Sequence, residues 1–495
     1  MAARWILTCA TILSASISLG DEPVVKVALP VIPKNSLAIT DCGGIGDGLT
    51  LNTKAFEKAI SQLAQKGGGQ LDVPPGIWLT GAIHLQSNID LHIERGALVK
   101  FSTDPAQYPL IVVDTKGEKE VNSTSPLFGQ DLENVAITGS GILDGSGDGW
   151  REAKKNKLTD GDWKALLKTG GVLNDKADTW WPSDSARDGE KLVDQLTRSG
   201  SLDPKDYEPA HTYLRPKMLR LINCKRVLIQ DVTVQNPPMW TINPLLCEDV
   251  SILNVTVHNS PAAQNSDALD LESCRRAHVA NCTFDAGDDG ICLKSGKDAA
   301  GRRIGVPTED VLVEDCTVYH AHGGFVIGSE MSGGVKNVRV NNCTFIGTDV
   351  GMRFKTTRGR GGVVENIDIS NIHMLNIVTD AINFNMYYAN KSVAEGGGDG
   401  VPAAVPPVTE ETPQFRGIHI QNVVCRGAGA AMVLQGLPEM PLRDVTLKDV
   451  SITADRGCTV TDVDGVRFDH VSVTCKSGNK ITTTRAINST LDIQE

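Results

Sequence analysis

Aromatic residues make up only 5% of the 495 positions, and the charge balance lacks any basic excess, with a formal net charge of −12. A surface built to hold nucleic acid normally brings such an excess, so nucleic acid is an unfavoured partner, and any polyanionic ligand would need a local cationic patch. Beyond the first twenty residues no apolar run approaches the roughly 18 to 20 residues of a membrane span. Disorder and a collagen-like repeat are excluded by 40% hydrophobic and 22% charged residues. What the chain has in quantity is glycine, 49 residues, together with many short Val/Ile runs, which favours β structure with tight turns over helical bundles.

The first twenty residues have the form of an export signal. Arg4 supplies a positive start, Trp5 to Leu19 is largely apolar, and small residues precede Asp21. The expectation is a protein cleaved near residue 20 and secreted or periplasmic, leaving residues 21–495 as a single domain. Without Cys9, eleven of the 12 cysteines remain, an odd number that cannot all pair within the chain.

From about Leu219 to Val473 a pattern of apolar residues at i, i+2, i+5 and i+7 recurs nine times, most successive starts lying 21 to 34 residues apart. Copies begin at Val227, Val250, Ala277, Val311, Val338, Ile367, Ile418, Val445 and Val466. Asp231, Asn254, Asn281, Asp315, Asn342, Asn371, Asn422 and Asp449 fall at i+4. Two short strands joined by a phase-inverting corner cannot bury their apolar face alone, so each coil must stack on the next. Asn and Asp tolerate left-handed backbone and can bond their neighbours above and below, which suits this corner. The pattern predicts an all-β, right-handed parallel β-helix, right-handed being the default for parallel crossovers. Cys224, Cys247 and Cys274 recur at i−3, and Cys282, Cys316 and Cys343 at i+5, as expected of stacked core thiols.

An open solenoid end needs a cap. Asn52 to Gln65 places Ala55, Phe56, Ala59, Ile60, Leu63 and Ala64 at helical spacing and predicts an amphipathic N-terminal capping helix. Residues 146–216 break the repeat with a polar stretch carrying Trp150, Trp163, Trp180 and Trp181, and residues 389–413 form a Gly/Pro-rich excursion. Both could wall a binding site.

A further strand aligns without gaps in five coils, beginning at Asp267, Asp289, Gly323, Val350 and Asp380. Its third and fifth positions are apolar throughout and face the core, so the fourth and sixth, which include Asp270, Arg353, Asn383, Glu272, Lys294, Lys355 and Asn385, are expected to face solvent. The alignment sets Asp267 beneath Asp289, on coils about 4.8 Å apart, and Asp288 level with His322. Carboxylates that close repel, so at least one should have a raised pKa. Paired carboxyls acting as acid and base are what glycoside hydrolysis requires.

At these residues the sequence resembles glycoside hydrolase family 28, the polygalacturonases. The motifs are Asn265-Ser266-Asp267, Gly287-Asp288-Asp289, His322-Gly323 and Arg353-Phe354-Lys355, with Gly46-Asp47-Gly48, Gly67-Gly68-Gly69 and Val73-Pro74-Pro75-Gly76 nearer the start. Ser266 stands where the family usually has Thr. The resemblance implies hydrolysis of α-1,4-linked galacturonic acid in pectin with inversion, without a cofactor or metal. Asp288 would protonate the leaving oxygen, Asp267 and Asp289 would hold and deprotonate water, and His322 would tune the acid. Asn265, Arg353 and Lys355 would bind polygalacturonate, with Lys294 a further candidate; Tyr387, Tyr388 and Trp180-Trp181 are candidates for stacking on sugar rings. Exo action by a monomer is expected, because long insertions can close one end of a groove. The alternatives are a hydrolase of rhamnogalacturonan or decorated galacturonan, a calcium-dependent lyase on the same fold, and a noncatalytic pectin-binding β-helix.

Overall fold

The computed structural model describes residues 25–388 and 405–494, so the expected export signal and most of the 389–413 excursion lie outside the described residues. The described chain winds as a right-handed parallel β-helix in which 31 strands belong to one continuous hydrogen-bonded system. The repeat starts stack in register: Val227 pairs with Val250, Val250 with Ala277, Ala277 with Val311, Val311 with Val338, Val338 with Ile367, Ile367 with Ile418 and Ile418 with Val445. Their side chains are buried and form one core running the length of the solenoid.

The eight corner residues at i+4 all adopt left-handed backbone, with φ between 52° and 65°. Several bond to the coil before them: Asn254 Nδ2 donates to Asp231 Oδ1 at 2.7 Å, Asn342 Nδ2 to Asp315 Oδ1 at 2.5 Å, and Asn422 Nδ2 to Asn371 Oδ1 at 3.2 Å. A second left-handed column, absent from the sequence reading, stands one residue before the repeat starts, at Arg226, Asp249, Arg276, Asp310, Asn337, Asn366 and Asp444. It is laced by ion pairs as well as amides: Arg276 Nε donates to Asp249 Oδ1 at 2.8 Å and Asn337 Nδ2 to Asp310 Oδ1 at 3.0 Å.

The capping helix forms over Thr53–Gln65 and buries Ala55, Phe56, Ala59, Ile60 and Leu63 against the first coils. Asn52, just before it, is buried and ties the approach down, its amide nitrogen donating to the carbonyls of Ile45, Thr50 and Leu79. Cys224, Cys247 and Cys274 are fully buried, and the Cys224 amide donates to the Cys247 sulfur at 3.4 Å. No cysteine among the described residues is in a disulfide.

The 146–216 stretch is a small folded unit of its own. Ala153–Lys154, Thr179–Trp181 and Val172–Leu173 make a three-stranded antiparallel sheet, accompanied by helices Asp160–Leu167 and Asp184–Ser199. Trp150, Trp163 and Trp180 are buried in it or beneath it, and the Trp180 indole N–H donates to Gly170 O at 2.7 Å, so Trp180 is a packing residue and not a sugar platform. An antiparallel hairpin, Leu110–Thr115 with Glu118–Ser123, projects beside this unit.

Candidate active site

At the bend leading into the third strand of each coil, the second position is occupied by Ala268, Gly290, Gly324, Gly351 and Ala381. These residues turn inward: a Cβ on Gly290 would stand 2.5 Å from Val318 Cγ1, and one on Gly324 would stand 2.4 Å from Phe345 Cγ. Because the second and third positions both face the core, the residues just before them, Asp267, Asp288 and Asp289, are thrown outward on the far side of the bend. Ser266 is fully buried and joins the two acid-bearing loops, its hydroxyl donating to Ala263 O at 2.8 Å and accepting from the Gly287 amide at 3.1 Å.

The register is the one the sequence requires. Leu269 pairs with Ile291, placing Asp267 beside Asp289, and the His322 amide donates to Asp288 O at 2.8 Å. One oxygen from each of Asp267, Asp288 and Asp289 lies within 4.8 Å of the others. Their environments differ sharply: Asp267 is 2% exposed and Asp289 1%, while the Asp288 side chain keeps 20% of its surface open.

Of the fourth- and sixth-position residues expected to face solvent, Glu272, Arg353, Asn383 and Asn385 are partly exposed, but three are buried. Asp270 is 0% exposed, Lys294 4% and Lys355 6%, because the cleft is roofed by side chains from neighbouring coils. Trp240 lies against Lys294, whose Nζ is 3.6 Å from the ring centroid, and Tyr388 leans toward Lys355 at 5.3 Å. Lys355 Nζ donates to Asp289 Oδ2 at 2.7 Å. Lys294 Nζ meets Asp267 Oδ2 at 3.2 Å, Asp270 Oδ1 at 2.9 Å and Glu330 Oε2 at 3.5 Å. Its charge is thus committed to protein carboxylates and not presented to a ligand. Arg353, half-buried, stays nearer the opening, donating to His322 O at 3.3 Å and lying 3.8 Å from Asp289 Oδ1.

Electrostatics split the buried acids. Burial, with Asp270 adding repulsion, pushes Asp267 well above the usual carboxylate range despite the pull of Lys294. Burial likewise lifts Asp270 to about 6 against Lys294. Asp289 is equally buried, yet Lys355, Lys294 and Arg353 together outweigh that cost and hold it low. The hydrogen bond from His322 Nδ1 to Asp288 Oδ1, 3.1 Å, raises the imidazole pKa in spite of its partial burial. Asp289's own amide donates to the same Asp288 oxygen at 2.9 Å.

Asn265 is exposed at the rim, where its Oδ1 accepts from Arg215 Nη2 at 2.9 Å. Arg215 belongs to the last residues of the inserted unit, which thereby packs directly on the motif carrying Asp267. A cavity of about 200 Å³ between them is lined by Trp150, Trp181, Tyr213, Arg215 and Asn265. Of the other candidates, Asn383 is turned to Asp380, donating at 2.6 Å, Asn385 accepts from the Tyr387 amide, and Tyr387 is buried against Arg358.

The sequence from residue 210 to residue 476, which carries all of these acids and cations, matches the family described as Glycosyl hydrolases family 28. The chain belongs to glycoside hydrolase family 28. This family 28 glycoside hydrolase is 28% identical to a "Probable polygalacturonase" of Vitis vinifera over 90% of its own length and 80% of the relative's. It is 29% identical to an exo-poly-alpha-D-galacturonosidase of Dickeya chrysanthemi, covering 87% and 69% of the two chains. Among solved structures it resembles a hyperthermoactive exopolygalacturonase of Thermotoga maritima, with 33% identity, 90% and 94% coverage and a TM-score of 0.72.

Several residues of the family 28 site escaped the sequence reading. Asp349 Oδ2 lies 3.8 Å from His322 Nε2, so the imidazole is flanked by carboxylates at both nitrogens. Asp349 precedes the strand of its coil just as Asp288 and His322 precede theirs, a signal present in the alignment. Trp240, Lys217 and Glu330 carried no such mark. Asp267, Asp288 and Asp289 form the one cluster with metal-ligand geometry among the described residues, and lysine ammoniums already stand against Asp267 and Asp289.

Proposed function

We propose that this family 28 enzyme removes galacturonate from the end of polygalacturonate chains by single displacement with inversion. The observation that carries the reading is the unequal acid trio: two buried carboxyls of opposite electrostatic bias beside one half-open carboxyl, with Arg353 at the rim. Asp288, oriented by His322 and by the Asp289 amide, protonates the departing oxygen. Asp267 Oδ1 and Asp289 Oδ1 are buried and have no hydrogen-bond partner within the protein, and together they hold the attacking water. Asp289, kept ionised by its cations, takes the proton.

The trio's closest oxygens lie within 4.8 Å, less than the roughly 6.5–9.5 Å that leaves a water between acid and base. The water therefore stands over the Asp267–Asp289 pair and not in a gap beside Asp288. Arg353, which is half-buried, receives the substrate carboxylate, and Lys355 supplies charge behind it. Exo action is supported by the inserted unit, which packs through Arg215 onto Asn265 and narrows the groove on the N-terminal side of the acids. The exo activity named for the Dickeya and Thermotoga relatives agrees with it. Export through the N-terminal signal and action as a monomer complete the reading.

The test is a time course of product sizes from unesterified polygalacturonate, with Asp288→Asn beside the parent and proton NMR of the first-formed anomer. Monomer or dimer alone from the start, in the β configuration and lost in the variant, is expected. A ladder of oligomers overturns exo action, an α product overturns single displacement, and release from rhamnogalacturonan only overturns the substrate.

A further inference from the structure

On the N-terminal side of the acids, one coil before Asp267, stands Trp240, and one coil before that stands Lys217: Leu219 pairs with Ile242, and Ile242 with Leu269. Two ammoniums approach the Trp240 ring, Lys217 Nζ at 4.0 Å from the preceding coil and Lys294 Nζ at 3.6 Å from two coils further on. Their situations are opposite. Lys294 is shared by three carboxylates, whereas Lys217 makes no ion pair among the described residues; Glu272, Glu120 and Asp270 act on it only at longer range. Behind Lys217, Arg220 is 6% exposed, its Nη2 lies 3.5 Å from Glu120 Oε1, and its Nε–H is buried with no acceptor. Asn243, in register with Arg220 and wholly buried, presents an unpartnered Oδ1 beside it. A buried guanidinium with an orphan donor and a half-buried ammonium in no direct ion pair among the described residues, in a cleft of an acidic protein, form a receptor for an anion.

We propose that Lys217, backed by Arg220, receives the carboxylate of the sugar on the glycone side of the bond that is cut, a site distinct from that of Arg353. The inference rests on the reading of Asp288 as the acid. Asp288 is bonded to His322 of the following coil, so the leaving sugar lies toward Arg353 and the glycone lies toward Trp240 and Lys217. The backbones of the two cationic residues stand two coils, about 10 Å, to either side of the acids, and both side chains reach back toward them, Lys217 Nζ to 4.0 Å from the Trp240 ring and Arg353 to 3.8 Å from Asp289 Oδ1. Arg353 selects the carboxylate of the sugar that leaves, and Lys217 selects that of the sugar transferred to water. Polymers that alternate galacturonate with a neutral sugar satisfy one station only, so Lys217 makes the enzyme discriminate for an unbroken run of galacturonate.

The experiment compares Lys217→Met and Lys217→Arg with the parent, using trigalacturonate and its carboxyl-reduced counterpart. Binding is measured calorimetrically in the Asp288→Asn background, and kcat and KM in the active enzyme; thermal unfolding checks that each variant is folded. Loss of one charge-assisted contact is expected to weaken trigalacturonate binding roughly 10- to 100-fold, with largely unchanged binding of the carboxyl-reduced ligand and substantial rescue by Lys217→Arg. Unchanged binding and KM in Lys217→Met overturns the inference, as does an equal loss for the carboxyl-reduced ligand, which would make Lys217 a packing partner of Trp240. If Lys217 governs binding but the parent releases no product, the hydrolase reading fails and the site stands. If the parent hydrolyses and Lys217→Met is indifferent, the site alone fails.

Discussion

Lys294→Met removes the one cation shared by Asp267, Asp270 and Glu330 without opening much space, and its effect on stability and on chemistry has opposite pH windows. The Lys294 side chain is 5% exposed, those of Asp267 and Asp270 are 4% and 0% exposed, and the contacts are 3.2 and 2.9 Å. Breaking a buried ion pair by deleting one partner costs about 3–5 kcal/mol, because the remaining charge is left uncompensated. Here the remaining carboxyls can escape by taking up protons. Both already have folded-state pKa values above their unfolded ones, Asp270 at about 6, so the folded state binds more protons and stability falls as pH rises through that range. Without Lys294 both shift further up, and the loss extends to higher pH. The variant should therefore be less destabilised at pH 5, where proton uptake by the carboxyls relieves the uncompensated charge, than near pH 8. Urea unfolding of parent and variant at the two pH values reads this directly. In the same variant the rising limb of kcat against pH should move to higher pH, since Asp267 and its neighbours hold their protons longer. Equal destabilisation at pH 5 and pH 8 would show that Lys294 acts by packing on Trp240 and not by charge.

His322 gains its proton affinity chiefly from Asp288, so its positive charge is present below its raised pKa and is lost as pH climbs through it. His322→Gln should abolish the alkaline limb of the kcat/KM profile and lower kcat by on the order of 10²-fold; an unchanged alkaline limb would remove His322 from the chemistry. Phe354, on the core face of the strand that carries Arg353 and Lys355, stacks on Phe384 with ring centroids 4.1 Å apart and meets Phe325 and Phe415 edge-on. Phe354→Ala should cost about 3–5 kcal/mol in urea unfolding and raise KM more than it lowers kcat, because it loosens the cationic rim while leaving the acid corner in place.

How much of this was legible varies with what the sequence can encode. The coil stack was readable from the apolar i, i+2, i+5, i+7 pattern because every copy must fill the same interior, and the Asn/Asp corner because few residue types accept left-handed backbone. The second left-handed column hid behind Arg226 and Arg276, whose long side chains reach one coil back, Arg226 to Asn134 and Glu133 and Arg276 to Asp249 and Glu248, and stabilise a conformation arginine does not advertise. The acids were readable because alignment of successive coils is alignment in space. The burial of Asp270, Lys294 and Lys355 was not: alternation tells which way a side chain leaves the sheet, while Trp240, Glu330 and Tyr388, which cover them, come from unaligned turns and neighbouring coils. Asp349 was in plain register with Asp288 and His322 and was overlooked because its strand begins with an apolar Val350.

The columns of unpaired core thiols carry a consequence for how the chain matures. Ten of the eleven cysteines among the described residues are buried, and none is cross-linked. The native state draws nothing from an oxidant, so the protein can be produced fully folded in a reducing cytosol. In an oxidising compartment the same residues turn into a liability until winding is complete, since every exposed thiol of a partly wound chain is open to wrong pairing. Winding the coils buries these thiols, and with them the route to such wrong pairs.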